Sequence, residues 1–331
     1  MLRTDEGNAR ELWFVAPRAV EVRAGHEPVA GPGQVLVRCV ASSVSQGTEL
    51  LLYRGLGPTP FDPSLDLPGA PTYPRRYGYA WVGDVIARDA AVDGIAVGTR
   101  VFALAPHGDF HALNADVVRP IDPAIPPARA VLAASLETAI TCVWDAGVSL
   151  GDRVVVLGGG IVGLLAAWLA EAAGASVRLV EPSGARRDLA RALGVSAVVT
   201  LEEDRPCGDA DVVIEATGDP SALDRAIAHT ATEGTIAVLS FYGIRTHPVA
   251  LGSDFHRRRL LLRATQVSSI PPAQAPRWTP SRRFDLVRRL LCDAVLDGLL
   301  PDIVPFDDAP RAYARLDREP GGKAHVVFDY G

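Results

Sequence analysis

Residues 158–163 read GGGIVG and fit the spacing G-x-G-x-x-G. The run follows an apolar stretch, DRVVVLG, and opens a second one, IVGLLAAWLAEAAG. A further apolar segment, ASVRLVEP, places Glu181 near its end. This is the strand–turn–helix–strand setting in which the motif binds a dinucleotide. Gly158 permits a tight turn, Gly160 lets the backbone approach a pyrophosphate, and Gly163 lets helix and sheet pack closely. The helix start at Ile161 and Val162 offers free N–H groups and a positive dipole end to phosphate. A carboxylate at Glu181 accepts hydrogen bonds from ribose hydroxyls and repels a 2′-phosphate, which favours NAD over NADP. Arg186 and Arg187 lie just downstream and could clamp that phosphate, so NADP stays open. Their plainer reading is a solvated helix face. The segment EATG, 215–218, brings the small residues Ala216, Thr217 and Gly218, as a segment running beneath a nucleotide requires.

The surrounding elements must hold that turn. From residue 151 onward strands and helices alternate: DRVVVLG, IVGLLAAWLAEAAG, ASVRLVEP, ARRDLARALG, AVVT, DVVIEATG, DPSALDRAIAHT, GTIAVLSF, LLLRATQVSS. Alternation of this kind predicts an α/β fold with a parallel, doubly wound Rossmann sheet. Asp219 is placed to cap the helix after DVVIEATG, with Pro220 at its first position. Before this region, PARAVLAASLETAITCVWDAG has helical spacing and closes on Gly147. The first third differs. QVLVRCVAS, AWVGDVIARDAA and TRVFALA are strand-like and bounded by Gly or Pro, which predicts an antiparallel, barrel-like unit. Residues 54–76 are rich in Pro and Gly and predict an exposed loop, either a lid or a plain surface excursion. A Pro-rich connector, IPPAQAPRWTP, leads to an amphipathic helix, FDLVRRLLCDAVLDGLL, and a last strand, KAHVVFDY. The expected division is 1–130 with 271–331 as one domain and 131–270 as the nucleotide domain.

Composition narrows the function. The 331 residues are 48% hydrophobic and 22% charged, with a formal net charge of −6. A negative chain argues against nucleic acid or an anionic membrane as the main partner. The longest apolar run, 154–170, is short for a membrane span and carries three successive glycines. Cys39, Cys142, Cys207 and Cys292 form no C-x-x-C pair, which speaks against a zinc ribbon or a disulfide framework and for a reducing cytoplasm. The opening residues MLRTDEGNAR have no apolar core, so no signal peptide is expected. His107 and His111 share an i, i+4 spacing, but they sit in a loop-or-strand segment, and no metal is assigned to them.

The order of a barrel-like part, a dinucleotide fold and a return resembles the medium-chain dehydrogenase/reductase superfamily over nearly the whole chain. PGQVLVRCVASSVSQGTELLLYRG is similar to the stretch that carries a Cys before Gly-Thr-Asp in zinc alcohol and polyol dehydrogenases. YGYAWVGDVIARDAAVDGIAVGTRV resembles the family's Gly-His-Glu segment. The resemblance implies a GroES-like catalytic domain beside the Rossmann domain, and commonly a homodimer formed through the nucleotide-domain edge. The departures matter as much. The metal-ligand Cys position holds Gln46, the His position holds Tyr79, and the neighbouring Glu position holds Ala80. Only Glu137, in LETA, keeps a ligand-type side chain, and the four-Cys structural lobe is absent. A catalytic zinc takes three thiolate, imidazole or carboxylate ligands. The resemblance therefore implies a zinc-independent member.

In such a member a hydroxyl must stabilise the oxygen that gains charge during hydride transfer. Tyr79 is the candidate donor, its alternative role being to fill the ligand space. Thr48 matches the residue that begins the family's proton relay, its alternative being a structural role in the turn. Gln46 either orients substrate or fills space. Glu137 is a base or the partner of a buried Arg. Thr141, one turn on, matches a residue that contacts the nicotinamide, and His107 is either a donor lining the site or a surface histidine. The expected activity is NAD(P)-dependent hydride transfer to or from a small organic alcohol or carbonyl. Enone or quinone-type reduction and nucleotide binding without turnover are the alternatives.

Overall fold

A computed structural model describes residues 8–57, 73–299, 301–319 and 321–331. The chain forms two compact units: Met1–Ala134 with Pro301–Pro320 and Val326–Gly331, and Ser135–Leu300 with Gly321–His325. Of the loop expected over 54–76, residues 58–72 lie outside the described residues.

The first unit is built on Gln34–Val44, whose 11 residues are mostly buried. Trp81–Arg88 and Phe110–Asn114 pair with it antiparallel, and so does Val326–Asp329. The full sheet has seven strands, and a separate three-stranded sheet joins Ala9–Ala16, Ala19–Gly25 and Arg75–Arg76. The strands of the first third pair antiparallel, as expected, and the C-terminal strand Asp302–Pro305 adds a parallel pairing with Val326–Asp329. The connecting helix Ala309–Arg318 makes that parallel return possible. It buries Ala309, Ala312, Tyr313 and Leu316 in the core around Phe14, Trp81 and Phe328.

The second unit is a six-stranded sheet in which every pairing is parallel. Its spatial order is Ala197–Val199, Ser176–Val180, Arg153–Leu157, Ala210–Glu215, Thr230–Val238, Leu261–Ala264. Strand order reverses between Arg153–Leu157 and Ala210–Glu215, the point at which such folds bind ligands. The central strands read VVVL and VVI because helices cover both faces of a parallel sheet. Residues 271–299 belong to this unit and not, as the sequence suggested, to the first. The helix Pro280–Leu291 turns Phe284, Val287 and Leu291 into its core, and Arg283 bonds the carbonyl of Val267. The helix after Ala210–Glu215 begins two residues later than expected, at Ala222, with Ser221 at its cap; Asp219 accepts the Ser221 N–H instead. Among the described residues no helix is long and apolar enough to cross a membrane.

His111 shows how burial couples to pH in the first unit. It sits opposite Val37, edge-on to the Trp81 ring, and its Nε2 bonds the Pro106 carbonyl at 2.8 Å. Burial pushes its pKa down to about 4. In the unfolded chain a histidine titrates near ~6.5. The folded state therefore loses stability as pH falls from about 6.5 toward 4, by about 3 kcal/mol in total. Urea unfolding at pH 7 and pH 5 should show this loss in the wild type and a flatter profile in His111→Gln.

Candidate active site

In the first unit, Gln34–Val44 passes through Ser45, Gln46 and Gly47 into the short helix Thr48–Tyr53. Ser45 and Glu49 hold each other: the Ser45 N–H donates to Glu49 Oε1 at 2.8 Å, and the Glu49 N–H to the Ser45 carbonyl at 2.9 Å. The Tyr79 hydroxyl donates to Ser45 Oγ and lies 3.4 Å from Thr48 Oγ1. Tyr79, Ser45, Thr48 and Gln46 are all half-buried. Burial raises the Tyr79 phenol above its ordinary value, with the hydrogen bonds of Ser45 and Thr48 opposing. The phenol is therefore protonated at neutral pH and can donate. Tyr77 turns into the core, edge-on to Phe14 and Tyr79.

Beneath this triplet lies a fully buried polar chain. His107 Nε2 is 3.0 Å from Glu49 Oε2, and His107 Nδ1 is 2.7 Å from Ser42 Oγ. Ser42 Oγ is in turn 2.7 Å from the Tyr330 hydroxyl, and the Tyr313 hydroxyl donates to Glu49 Oε2. One tautomer satisfies every member: Tyr330 donates to Ser42, Ser42 to Nδ1, and Nε2–H to the carboxylate. His107 has no exposed surface and both ring nitrogens are engaged. This corrects the expectation of a donor lining the site or a surface histidine. Gly78 makes room for the ring: at φ +125° a Cβ would lie 2.7 Å from His107 Cδ2.

In the second unit the nucleotide turn has the predicted form. Gly158 has φ +98°, and a Cβ there would meet the Ala216 carbonyl at 2.7 Å. A Cβ on Gly163 would lie 2.2 Å from the Gly158 carbonyl, so helix and turn are in contact. Gly160, at the cap of Ile161–Ala172, faces open space, as a pyrophosphate cradle should. Ile161 is buried and Val162 half-buried. Glu181 is buried, with Oε2 accepting the Gly159 N–H and Oε1 the Ser183 N–H, each at 2.7 Å. Arg187 donates to the carbonyls of Glu181 and Pro182, and Arg186 to that of Gly322. These residues fit a dinucleotide. Thr217 is exposed beside the turn, and its hydroxyl bonds Glu215.

Glu137 and Thr141 share one face of Ala133–Ala146, and both meet Arg283. Arg283 Nε bonds Glu137 Oε1 at 3.0 Å, and Nη1 bonds Thr141 Oγ1 at 2.9 Å. Of the two roles expected for Glu137, this is the pairing with a buried arginine. Thr141 has no exposed surface, and its hydroxyl also donates to the Glu137 carbonyl.

Sequence reasoning missed Ser45, Glu49 and Glu215. The Ser45–Glu49 pair was detectable: a Ser followed one turn later by a Glu is close to a capping box. Glu215 is fully buried and accepts the Thr217 N–H at 2.7 Å and the Tyr242 hydroxyl. Nothing local in EATG marks Tyr242 as its partner.

Removing Arg283 would strand a largely buried carboxylate. Arg283→Met should destabilise the protein by about 3 kcal/mol. Glu137→Gln in the same background should recover part of that loss, as read from urea midpoints at unchanged slope.

Residues 162–277 match a family model described as zinc-binding dehydrogenase. The chain is 28% identical over 339 residues to D-guloside 3-dehydrogenase of Escherichia coli K12, covering 94% of this chain and 97% of that one. It is 33% identical over 237 residues to 2-desacetyl-2-hydroxyethyl bacteriochlorophyllide A dehydrogenase of Cereibacter sphaeroides, covering 66% and 69%. Its fold matches that of acetophenone reductase from Geotrichum candidum, solved in complex with NAD, with TM-score 0.79 at 16% identity over 99% of both chains. A sheet that reverses at a glycine turn, a buried acid behind that turn and relatives spanning nearly its full length agree: the chain belongs to the medium-chain dehydrogenase/reductase superfamily of oxidoreductases.

Proposed function

We propose that this protein is an NAD-dependent dehydrogenase/reductase that works without catalytic zinc, moving hydride between nicotinamide and a small secondary alcohol or its ketone. The observation that carries the reading is the Tyr79 hydroxyl, held by Ser45 and close to Thr48 in the stretch whose family counterpart binds the metal. The residues present do not fit a zinc ion. Gln46 and Tyr79 are poor ligands, and the Glu137 carboxylate is engaged by Arg283. Among the described residues no group of three His, Cys, Asp or Glu side chains is arranged to hold a metal.

Bound nicotinamide supplies the hydride or accepts it. The chain's own part is to hold the dinucleotide at Gly158–Gly163 and to meet the charge that develops on the substrate oxygen. The Tyr79 O–H donates to that oxygen, and Thr48 steadies the phenol from the side. An alkoxide is a stronger base than a phenolate, so the proton can follow even though burial weakens Tyr79 as an acid. NAD is favoured over NADP: an acid, Glu181, follows the second strand behind the glycine turn, and Arg186 and Arg187 are engaged with carbonyls. A secondary carbinol is supported by two comparisons: one relative is named for position 3 of a guloside and one fold neighbour for acetophenone. The loss of zinc ligands also favours a second reading, reduction of an enone, in which the same hydroxyls polarise the carbonyl.

Four cysteines, all free, support a reducing cytoplasm. The edge strand Leu261–Ala264, with Leu261 and Leu262 exposed, is the surface for a homodimer.

Elemental mass spectrometry on unchelated protein should find near-zero zinc; about one zinc per chain would sink the zinc-free reading. A panel of secondary alcohols with NAD, set beside enones with NADH, separates the two reactions. Tyr79→Phe should lower turnover about a hundredfold on the active substrate. Weaker turnover with NADP than with NAD should accompany it.

A further inference from the structure

The Tyr79 phenol carries one hydrogen, and in the free protein that hydrogen points at Ser45 Oγ. A donor to the substrate oxygen must release that bond. Its oxygen then needs a donor of its own, and the nearest hydroxyl is Ser45; Thr48 Oγ1 is farther, at 3.4 Å. Ser45 Oγ has no other partner among the described residues, and Ser45 is half-buried, not sealed in the core.

Ser45 is also held in place. Its N–H and carbonyl are both bonded to Glu49, and Glu49 is fixed by His107 and Tyr313 with no exposed surface. His107 is fixed by Ser42 and fills the space that Gly78 leaves. A residue whose main chain is so constrained keeps its side-chain torsions, the rotation of its hydroxyl hydrogen among them. That is the freedom a relay needs.

We propose that Ser45 is the relay residue behind Tyr79, returning to the phenol the proton that Tyr79 gives to substrate. The inference rests on the proposed role of Tyr79. In the reduction direction hydride reaches the carbonyl carbon and charge builds on its oxygen. The Tyr79 O–H bond breaks as the substrate O–H bond forms. The Ser45 O–H bond breaks as the phenol is restored, and Ser45 recovers its proton from water. The net change is one hydride from the reduced nicotinamide and one proton from solvent. Oxidation runs the same steps backward. Ser45 acts through Tyr79 and touches neither substrate nor cofactor.

Two measurements test the relay. The first needs no substrate: label tyrosine at Cζ with carbon-13 and assign Tyr79 as the signal lost in Tyr79→Phe. Ser45→Ala should shift that signal and Ser45→Thr should return it; an unmoved signal means there is no bond and overturns the inference. The second uses the panel alcohol with the highest turnover. Ser45→Ala should lower kcat about tenfold or more at unchanged KM, and Ser45→Thr should restore it. In the Tyr79→Phe background Ser45→Ala should have no further effect, because a relay needs both members. Independent losses that multiply, or a kcat that does not fall, would refute the relay. Should Tyr79→Phe itself keep full turnover, the proposed role of Tyr79 fails, and that result is separate from a failure of Ser45 alone.

Discussion

A carboxylate with no exposed surface must be paired, and Glu49 is such a group. Its oxygens take a main-chain N–H from Ser45, the His107 ring and the Tyr313 hydroxyl. Each partner comes from a different element, so one anion fixes a turn, a loop and a C-terminal helix together. The surrounding structure follows from that requirement. Gly78 lacks a side chain because His107 needs the room, and Ser42 and Tyr330 are polar because the far side of the ring needs partners. The hydroxyls of the proposed chemistry are tied to this network through the Ser45 main chain.

The same logic runs through the second unit. Glu137 is matched by Arg283 and Glu181 by two main-chain N–H groups. Glu215, by contrast, meets hydroxyls and an N–H but no cation among the described residues. Three neutral donors can stabilise an anion, because hydrogen bonds to a charged acceptor are stronger than those to a neutral one. That lattice ties the end of Ala210–Glu215 to the segment holding Tyr242, which follows the neighbouring strand Thr230–Val238.

What the residues disclosed by themselves depended on distance along the chain. The nucleotide turn was legible because its three glycines, flanking strands and acid lie within about 30 residues. The segment of Gln46 and Tyr79 stood out only against a known pattern, and the structure brings Tyr79 to Ser45 and Thr48. Tyr313 and Tyr330 were not, because they reach Glu49 and Ser42 across 264 and 288 positions. Burial of His107 and Thr141 escaped for a related reason. A histidine in a loop-like segment and a threonine on an apolar helix look the same whether they face a ligand or a buried partner. The connector and helix of 271–299 were assigned to the wrong unit because amphipathicity says that one face is covered, and not by what.

Glu181 carries a further consequence. The carboxylate proposed to read the ribose also braces the turn through Gly159, so on that reading recognition and local architecture share one side chain. A lineage drifting toward a phosphorylated dinucleotide could not discard this acid without leaving the Gly159 N–H unsatisfied. Any such drift would have to pass through a compensating acceptor first. The proposed cofactor preference is thereby tied to a folding requirement.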